Sequence, residues 1–597
     1  MTTYKAPLDD IRFLMTDVFK MDDFWRTLNC ADDLDWETAD AVLEEAGKIC
    51  EQILGPLNRE ADEQGCTWQE GDVFTPEGFK EAYTTFCEGG WAGLGGNPEY
   101  GGMGMPKTMV AAVDEMVQGA CIAFGLAPML TAGACLALDA HGSDNLKSTY
   151  LPKMYSGEWS GAMDLTEPHA GTDLGLIRTK AEPLNDGSYQ LTGTKIFITW
   201  GDHDMANNIV HLVLAKLPDA PAGSRGISLF LVPKFLVNDD GDIGERNKVS
   251  CGSLEKKMGI KASATCVMNF DNAKGWLVGE PHKGLACMFT MMNYERLGVG
   301  VQGIGVAENS YQNAVAYAKE RIQGRSPLGV QTPEKEADNL LVHPDVRRML
   351  MQMKAYNEAS RAFYLYSARW LDTAKYGKTD EEKAYASRMV ALLTPVTKAF
   401  VTDAALETTI HGQQVFGGHG YIREWGQEQH VRDVRITQIY EGTNGVQAMD
   451  LVGRKTIMCN GELATDFIAE ICQFAQNTTV QHSELLVELT RVSDVLSQAT
   501  KLIVTRSSLD AALAGSVAVD YQRLFGLVAY AYMWAMMAYS AEKATSSNMS
   551  SSSPKLCDAK IKTATYYFNK VLPEVDMLLV RITKGAEVTM ALSDDQF

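Results

Sequence analysis

Tyr189-Gln-Leu-Thr-Gly-Thr-Lys-Ile-Phe-Ile-Thr199 reads as a β-strand. Tyr189, Leu191, Gly193, Lys195, Phe197 and Thr199 alternate with Thr192, Thr194, Ile196 and Ile198, which is the period-2 pattern of a pleated ribbon rich in β-branched residues. Further strand-like runs follow at Asn208 to Lys216, Gly226 to Lys234 and Ala264 to Asp271. Asn185-Asp186-Gly187 and Asp239-Asp240-Gly241 supply turns between them. An all-β segment is therefore expected over residues 161–280.

Working outward, the texture on both sides is helical. Thr38 to Leu57 sets Ala41, Val42, Ala46 and Ile49 at helical spacing, and Met109 to His141 repeats that pattern beyond a glycine-rich loop at Gly89 to Gly104. On the far side, His343-Pro344-Asp345 opens a helix with proline in its first turn, and Ala391 to His411 forms another. From about Gly461 the chain is again helical, with a polar break at Thr545 to Pro554 that reads as a flexible connector. The expected division is an N-terminal extension at 1–37, helical domain 38–160, β domain 161–280, helical bundle 281–457 and C-terminal helical extension 458–597. Neither a doubly wound sheet nor an alternating β/α barrel has this order. The expected class is mainly α with a central β domain.

Composition narrows the function. With 76 acidic and 54 basic residues the net charge is −22, and no Lys/Arg run is long enough to make a local basic patch. Such a surface repels nucleic-acid phosphates, so a nucleic-acid partner is excluded. The 12 cysteines include no CxxC pair, which is the usage of reduced thiols and argues against a metal centre. The start, MTTYKAPLDDIRFL, lacks a leader pattern and SDDQF carries no sorting tail, so a cytoplasmic location is expected. Leu524 to Ala541 has 18 residues without a charge, at the lower limit for crossing a bilayer. Its alanines, tyrosines and glycine make a helix buried in a soluble bundle the expectation, with no transmembrane span.

Several separate motifs then occur in one order: Met163-Asp-Leu-Thr-Glu-Pro-His-Ala-Gly-Thr-Asp173, Lys195-Ile-Phe-Ile-Thr199, Lys257-Met-Gly-Ile260, Glu295-Arg-Leu297, Gln414-Val-Phe-Gly-Gly-His-Gly420, and Arg432-Asp433 leading to Tyr440-Glu-Gly-Thr443. Over roughly 38–457 the chain resembles the acyl-CoA dehydrogenase family through these motifs. The resemblance implies a helical N-terminal domain, a β-barrel-like middle domain and a helical bundle. It also implies FAD as cofactor, an acyl-CoA substrate desaturated between its α- and β-carbons, and an electron-transfer flavoprotein as acceptor. Such chemistry needs a base for a weakly acidic α-proton, and a carboxylate in a dry pocket is made more basic by burial.

By resemblance Glu441 is that base, with Glu295, which precedes Arg296, as the alternative used in part of the family. FAD contacts carry over to Met163, Leu165, Thr166, Gly171, Thr172, Phe197, Thr199 and Thr443, and the pyrophosphate and adenosine contacts to Arg321, Gln414, Gly417 and Gly418. Thr172, Asn293, Arg296, Tyr440 and Gly442 fall at substrate positions. Two residues depart from the pattern: His169 stands where glycine is common, and Gly445 where a long polar residue is usual. More than 130 residues follow the shared core, as in larger members, and a homodimer is expected. Overall length and the start at Tyr4-Lys5-Ala6-Pro7-Leu8 resemble a bacterial branch that includes 3-methylmercaptopropionyl-CoA and fatty acyl-CoA dehydrogenases. The thioether substrate is the expectation, a medium- or long-chain fatty acyl-CoA the alternative, and an acyl-CoA oxidase a more distant one.

Overall fold

The computed structural model describes residues 4–29, 34–478, 483–546 and 552–597. Of the polar run expected as a connector, residues 547–551 lie outside the described residues. The chain divides into two compact units, one of residues 48–106 and 120–298, the other of residues 1–47, 107–119 and 299–597.

The first unit contains a seven-stranded sheet. Tyr189–Thr199 pairs antiparallel with Thr265–Val278 on one side and Lys180–Pro183 on the other. Lys180–Pro183 touches Asn208–Lys216, which pairs with Ile227–Pro233, and that strand returns to Thr265–Val278. These five strands form a closed circuit, which leaves no free edge among them. Ile227–Pro233 is buried along its whole length, as a strand covered on both faces must be. Trp159–Asp164 adds a parallel strand beside Asn208–Lys216, and helix Ile122–His141 packs against it.

The alternation expected for Tyr189–Thr199 holds only in part. Leu191 and Lys195 point inward, but the next buried residue is Ile198. The register shows why: Cys266 faces Ile198 and Met268 faces Lys195, so Ile196 and Phe197 together oppose Val267. This β-bulge shifts the side-chain phase by one residue. A second bulge at Asn272 lies on the facing strand, and both bulges carry a non-glycine residue of positive φ, 61° at Phe197 and 58° at Asn272.

The second unit is helical. Helices Pro344–Tyr376 and Asp380–Phe416 pack on each other, and Leu513–Ser546 packs on both. Thr379 starts the second of these with a reciprocal capping box to Glu382. Leu513–Ser546 contains the uncharged run of the sequence, and the apolar window is 89% buried. Its contacts are those of a core helix: Trp534 Nε1 donates to Ala355 O at 3.1 Å and Tyr530 shares a hydrogen bond with Ser360. By length and composition alone two further helices, Ile122–His141 and the segment Asp380–Tyr421, could cross a membrane, and 78% of each apolar window is buried.

A charge cluster ties this unit together. Arg361, 2% exposed, is bonded to Asp10, to Glu115 at 2.7 Å and to Glu308 at 3.1 Å. Lys560 is bonded to the same Asp10 and to Glu358 at 2.8 Å. Burial pushes the Asp10 carboxyl up, but Lys560 and Arg361 outweigh it and hold it well below the usual carboxylate range. The cluster joins the N-terminal segment to the C-terminal extension. Arg361→Ala leaves Glu115 and Glu308 buried without their shared cation and is expected to cost about 3–5 kcal/mol. Arg348→Ala removes an exposed pair with Asp345 and should cost under about 1 kcal/mol. Urea unfolding of the two variants checks the contrast.

Candidate active site

In the β-containing unit the motif residues gather around one buried ammonium. Lys195 has no exposed surface. Its Nζ donates to Leu165 O at 3.0 Å and to Glu167 Oε1 at 2.9 Å. Glu167 also accepts from the backbone of Arg178 and Thr179 at 2.7 and 3.0 Å, and from the Thr179 hydroxyl at 2.6 Å. Gly193 makes room for that hydroxyl: a Cβ there would stand 2.3 Å from Thr179 Oγ1. Burial pushes the Glu167 carboxyl up, but Lys195 and these donors outweigh it and hold it below the usual range.

This anchor fixes the segment that carries Met163, Leu165, Thr166, Gly171 and Thr172. Met163 and Thr166 are half-buried, Leu165 is buried, and Gly171 and Thr172 are exposed. Ile196 N donates to Thr166 O at 2.9 Å, which joins the segment to the bulge. There the ring of Phe197 is held outward, 59% exposed, with Thr199 half-buried two residues on. A large aromatic side chain in left-handed backbone is a strained arrangement, of the kind found where a side chain is being aimed. His169 sits in a tight turn in which Glu167 and Ala170 exchange hydrogen bonds at 3.0 Å. It is not among the positive-φ residues, so this turn does not demand glycine, and its ring reaches Leu176 O at 3.1 Å. Lys195 and Glu167 were not singled out by sequence reasoning. The available signal was a lysine at an inward position of a strand.

Glu295 belongs to the same unit, near the start of helix Gly284–Glu320. It is fully buried, and its Oε1 lies 2.3 Å from where a Cβ on Gly133 would stand. Asn293 is exposed and accepts from Arg296 Nη1 at 3.2 Å, while the half-buried Arg296 guanidinium lies 5.7 Å from the Phe289 ring centroid.

Glu441 belongs to the helical unit and is half-exposed in a turn. Glu441 and Gly442 are consecutive left-handed residues, φ 55° and 81°. Gly442 meets that demand freely; Glu441 does not. Gln447 Nε2 donates to the carbonyls of both, at 3.2 and 3.4 Å, and the Tyr440 hydroxyl donates to Gln302. Thr443 caps helix Asn444–Met449, its Oγ1 accepting Val446 N at 3.3 Å. Gly445 has only Thr443 Oγ1, at 3.8 Å, near its missing Cβ, so a side chain is absent there although the space exists.

Arg321, Gln414, Gly417 and Gly418 are all exposed and belong to the same unit. Arg321 follows Tyr317 by one turn, and its N–H donates to Tyr317 O at 2.8 Å. The Tyr317 ring stacks on Phe416 at 4.1 Å and its hydroxyl meets His419 Nδ1 at 2.9 Å. The arginine and the Gly417–Gly418 turn are thus brought together through one tyrosine.

Three family models match in order: the acyl-CoA dehydrogenase N-terminal domain over residues 37–158, the middle domain over 162–273 and the C-terminal domain over 282–456. A fourth, described as acetyl-CoA dehydrogenase C-terminal like, matches 467–593. The chain is 41% identical to the 3-methylmercaptopropionyl-CoA dehydrogenase of Ruegeria pomeroyi over 99% of this chain and 100% of that one. It is 36% identical to a butyryl-CoA dehydrogenase of Syntrophomonas wolfei, over 96% and 95% respectively. Among solved structures, Caenorhabditis elegans ACDH-11 in complex with C11-CoA shares the fold with a TM-score of 0.76 at 20% identity, covering 98% of this chain and 95% of that one.

Lys195→Met leaves Glu167 buried without its cation and is expected to cost about 3–5 kcal/mol in urea unfolding. The folded-state pKa of Glu167 is depressed, so its stabilisation is full above about pH 4.3 and drains away as the pH falls. In the variant that acid-side loss should shrink, which a stability profile from pH 7 downward reads directly.

Proposed function

The chain belongs to the acyl-CoA dehydrogenase family, whose members are FAD-dependent oxidoreductases acting on the CH–CH bond of acyl-CoA thioesters, and on that premise we propose that it converts 3-methylmercaptopropionyl-CoA to the trans-2-enoyl thioester with Glu441 as base. The observation that carries the assignment of the base is the turn at Glu441 and Gly442. Two left-handed residues in succession present a half-exposed carboxylate at a place where glycine lets the backbone approach a ligand. Glu295, at the position used elsewhere in the family, is fully buried against Gly133.

The residues around the bulge fit FAD. Phe197 offers an exposed aromatic face, Thr166, Thr172 and Thr199 offer hydroxyls, and Met163, Leu165 and Gly171 belong to the segment anchored by Lys195. In the helical unit, the exposed Arg321, Gln414, Gly417 and Gly418 fit the pyrophosphate and adenosine portions. Bound there, FAD supplies the acceptor for the two electrons that leave the β-carbon as hydride. Glu441 takes the α-proton, with Thr172, Asn293, Arg296, Tyr440 and Gly442 assigned to the substrate. General-base catalysis contributes on the order of 10²–10⁴, so orientation of the thioester by the remaining residues has to supply much of the rest.

The full-length match to a 3-methylmercaptopropionyl-CoA dehydrogenase supports the thioether substrate. The 36% match to a butyryl-CoA dehydrogenase supports a second reading, a fatty acyl chain. The thioether chain is one chain atom longer than butyryl, a difference that a hydrophobic pocket separates by only about 1–3 kcal/mol, so the two are close rivals. The same resemblance supports an electron-transfer flavoprotein as acceptor, a homodimer and a cytoplasmic location.

Anaerobic titration of the flavin-loaded protein with 3-methylmercaptopropionyl-CoA and with C4 to C16 esters tests this reading. The thioether ester should bleach the flavin with the highest second-order rate. Faster reduction by butyryl-CoA or a longer ester would overturn the substrate, and no reduction by any ester would overturn the reaction. Glu441→Gln should lose about 10²-fold or more in turnover with flavin still bound, and Glu295→Gln should lose far less.

A further inference from the structure

The turn that carries Glu441 is held at both of its stems by one carboxylate. Asp403, on helix Asp380–Phe416, accepts Gln438 Nε2 at 2.6 Å and Asn444 Nδ2 at 2.7 Å, both on Oδ1. Gln438 closes the 3₁₀ turn that enters the loop, and Asn444 is the first residue of the helix that leaves it. Only residues 439–443 lie between these two bonds.

The Asn444 amide has one possible orientation. Lys398 Nζ donates to its Oδ1 at 2.8 Å, and an ammonium can only donate. The Nδ2 side must then face acceptors, and it meets Asp403, Thr402 Oγ1 at 2.9 Å and Ala399 O at 3.1 Å. Two successive turns of one long helix, at residues 398–399 and 402–403, thus grip the exit stem, and of these residues Asp403 also grips the entry stem.

Strained backbone at Glu441 persists only where its surroundings impose it. Fixing the distance between the two stems is the direct way to impose it, because five residues pinned at both ends have few ways to close. We propose that Asp403 is a positioning residue for the dehydrogenation: by clipping Gln438 to Asn444 it sets the span of the turn and with it the place of the Glu441 carboxylate. The proposal rests on the reading of Glu441 as base. Burial pushes the Asp403 carboxyl up, against the pull of its two amide donors. Both amides donate to the one oxygen Oδ1, which an asparagine carbonyl can supply, so asparagine is the conservative replacement.

The test uses the full-length, flavin-loaded protein with Asp403→Asn, Asp403→Leu and Gln438→Met beside Glu441→Gln. Asp403→Leu is expected to lower kcat by about tenfold to a hundredfold while KM stays within about twofold. Bound flavin should be unchanged, and amide hydrogen exchange should speed up in the peptide 438–447. Gln438→Met, which opens one stem, should show a smaller loss of the same kind, and it serves where the leucine variant does not accumulate. Asp403→Asn should keep kcat within about threefold and leave the exchange pattern in place. Unchanged kcat in Asp403→Leu overturns the proposal, as does a loss shared with flavin content, or an asparagine variant as impaired as leucine. If Glu441→Gln still turns over, the base assignment falls and the clip's catalytic role with it. If Glu441→Gln is inactive while Asp403→Leu is not, only the clip falls.

Discussion

An ammonium group with no surface in water has to be met by acceptors from several directions, and meeting Lys195 organises the segment 163–172 and the strand beside it. Its partners are a main-chain carbonyl and a carboxylate two residues apart, so a single side chain fixes the path of residues 165–167. Glu167 in turn draws in the backbone of residues 178 and 179. Removing either charge alone would leave the other buried and unmatched, whereas the pair with its hydrogen bonds is tolerable in a low dielectric. The bulge begins at the very next residue, so the anchor and the re-aimed Phe197 are parts of one local arrangement.

The Lys195–Glu167 pair was not singled out in the sequence, but much of the fold around it was readable there. The strand at 189–199 announced itself through alternation, and the long uncharged run 524–541 lies inside the bundle as its alanine and tyrosine content implied. The phase slip at Ile196 and Phe197 was not readable. It comes from pairing with Thr265–Val278, nearly 70 residues away, and nothing in Lys-Ile-Phe-Ile-Thr marks a left-handed phenylalanine. Gly442 could be read as a turn residue, but the strain at Glu441 beside it could not, since glutamate gives no local sign of positive φ. Asp403 illustrates the same limit. In a helix of ordinary pattern it is one polar residue among several, and its importance comes from two amides that reach it from outside that helix.

The two departures from the family pattern carry different weight. His169 replaces a glycine without penalty, because the exchanged hydrogen bonds of Glu167 and Ala170 define a turn that any residue can adopt at that place. Gly445 removes a side chain where nothing obstructs one. Any contact made there in relatives has to be replaced by other groups or forgone.

The buried cluster at Arg361 has a consequence for biosynthesis. Asp10 is held by Lys560, 550 residues later in the chain. At about 5–20 residues per second, a ribosome needs on the order of half a minute to two minutes to cover that interval. The β-containing unit draws only on residues 48–298 and can close while translation continues. The helical unit cannot, because Asp10 and Glu358 lack the ammonium they share until Lys560 leaves the exit tunnel. The nascent N-terminal segment is thus a long-waiting partner, and the final sixth of the chain decides when the bundle becomes complete.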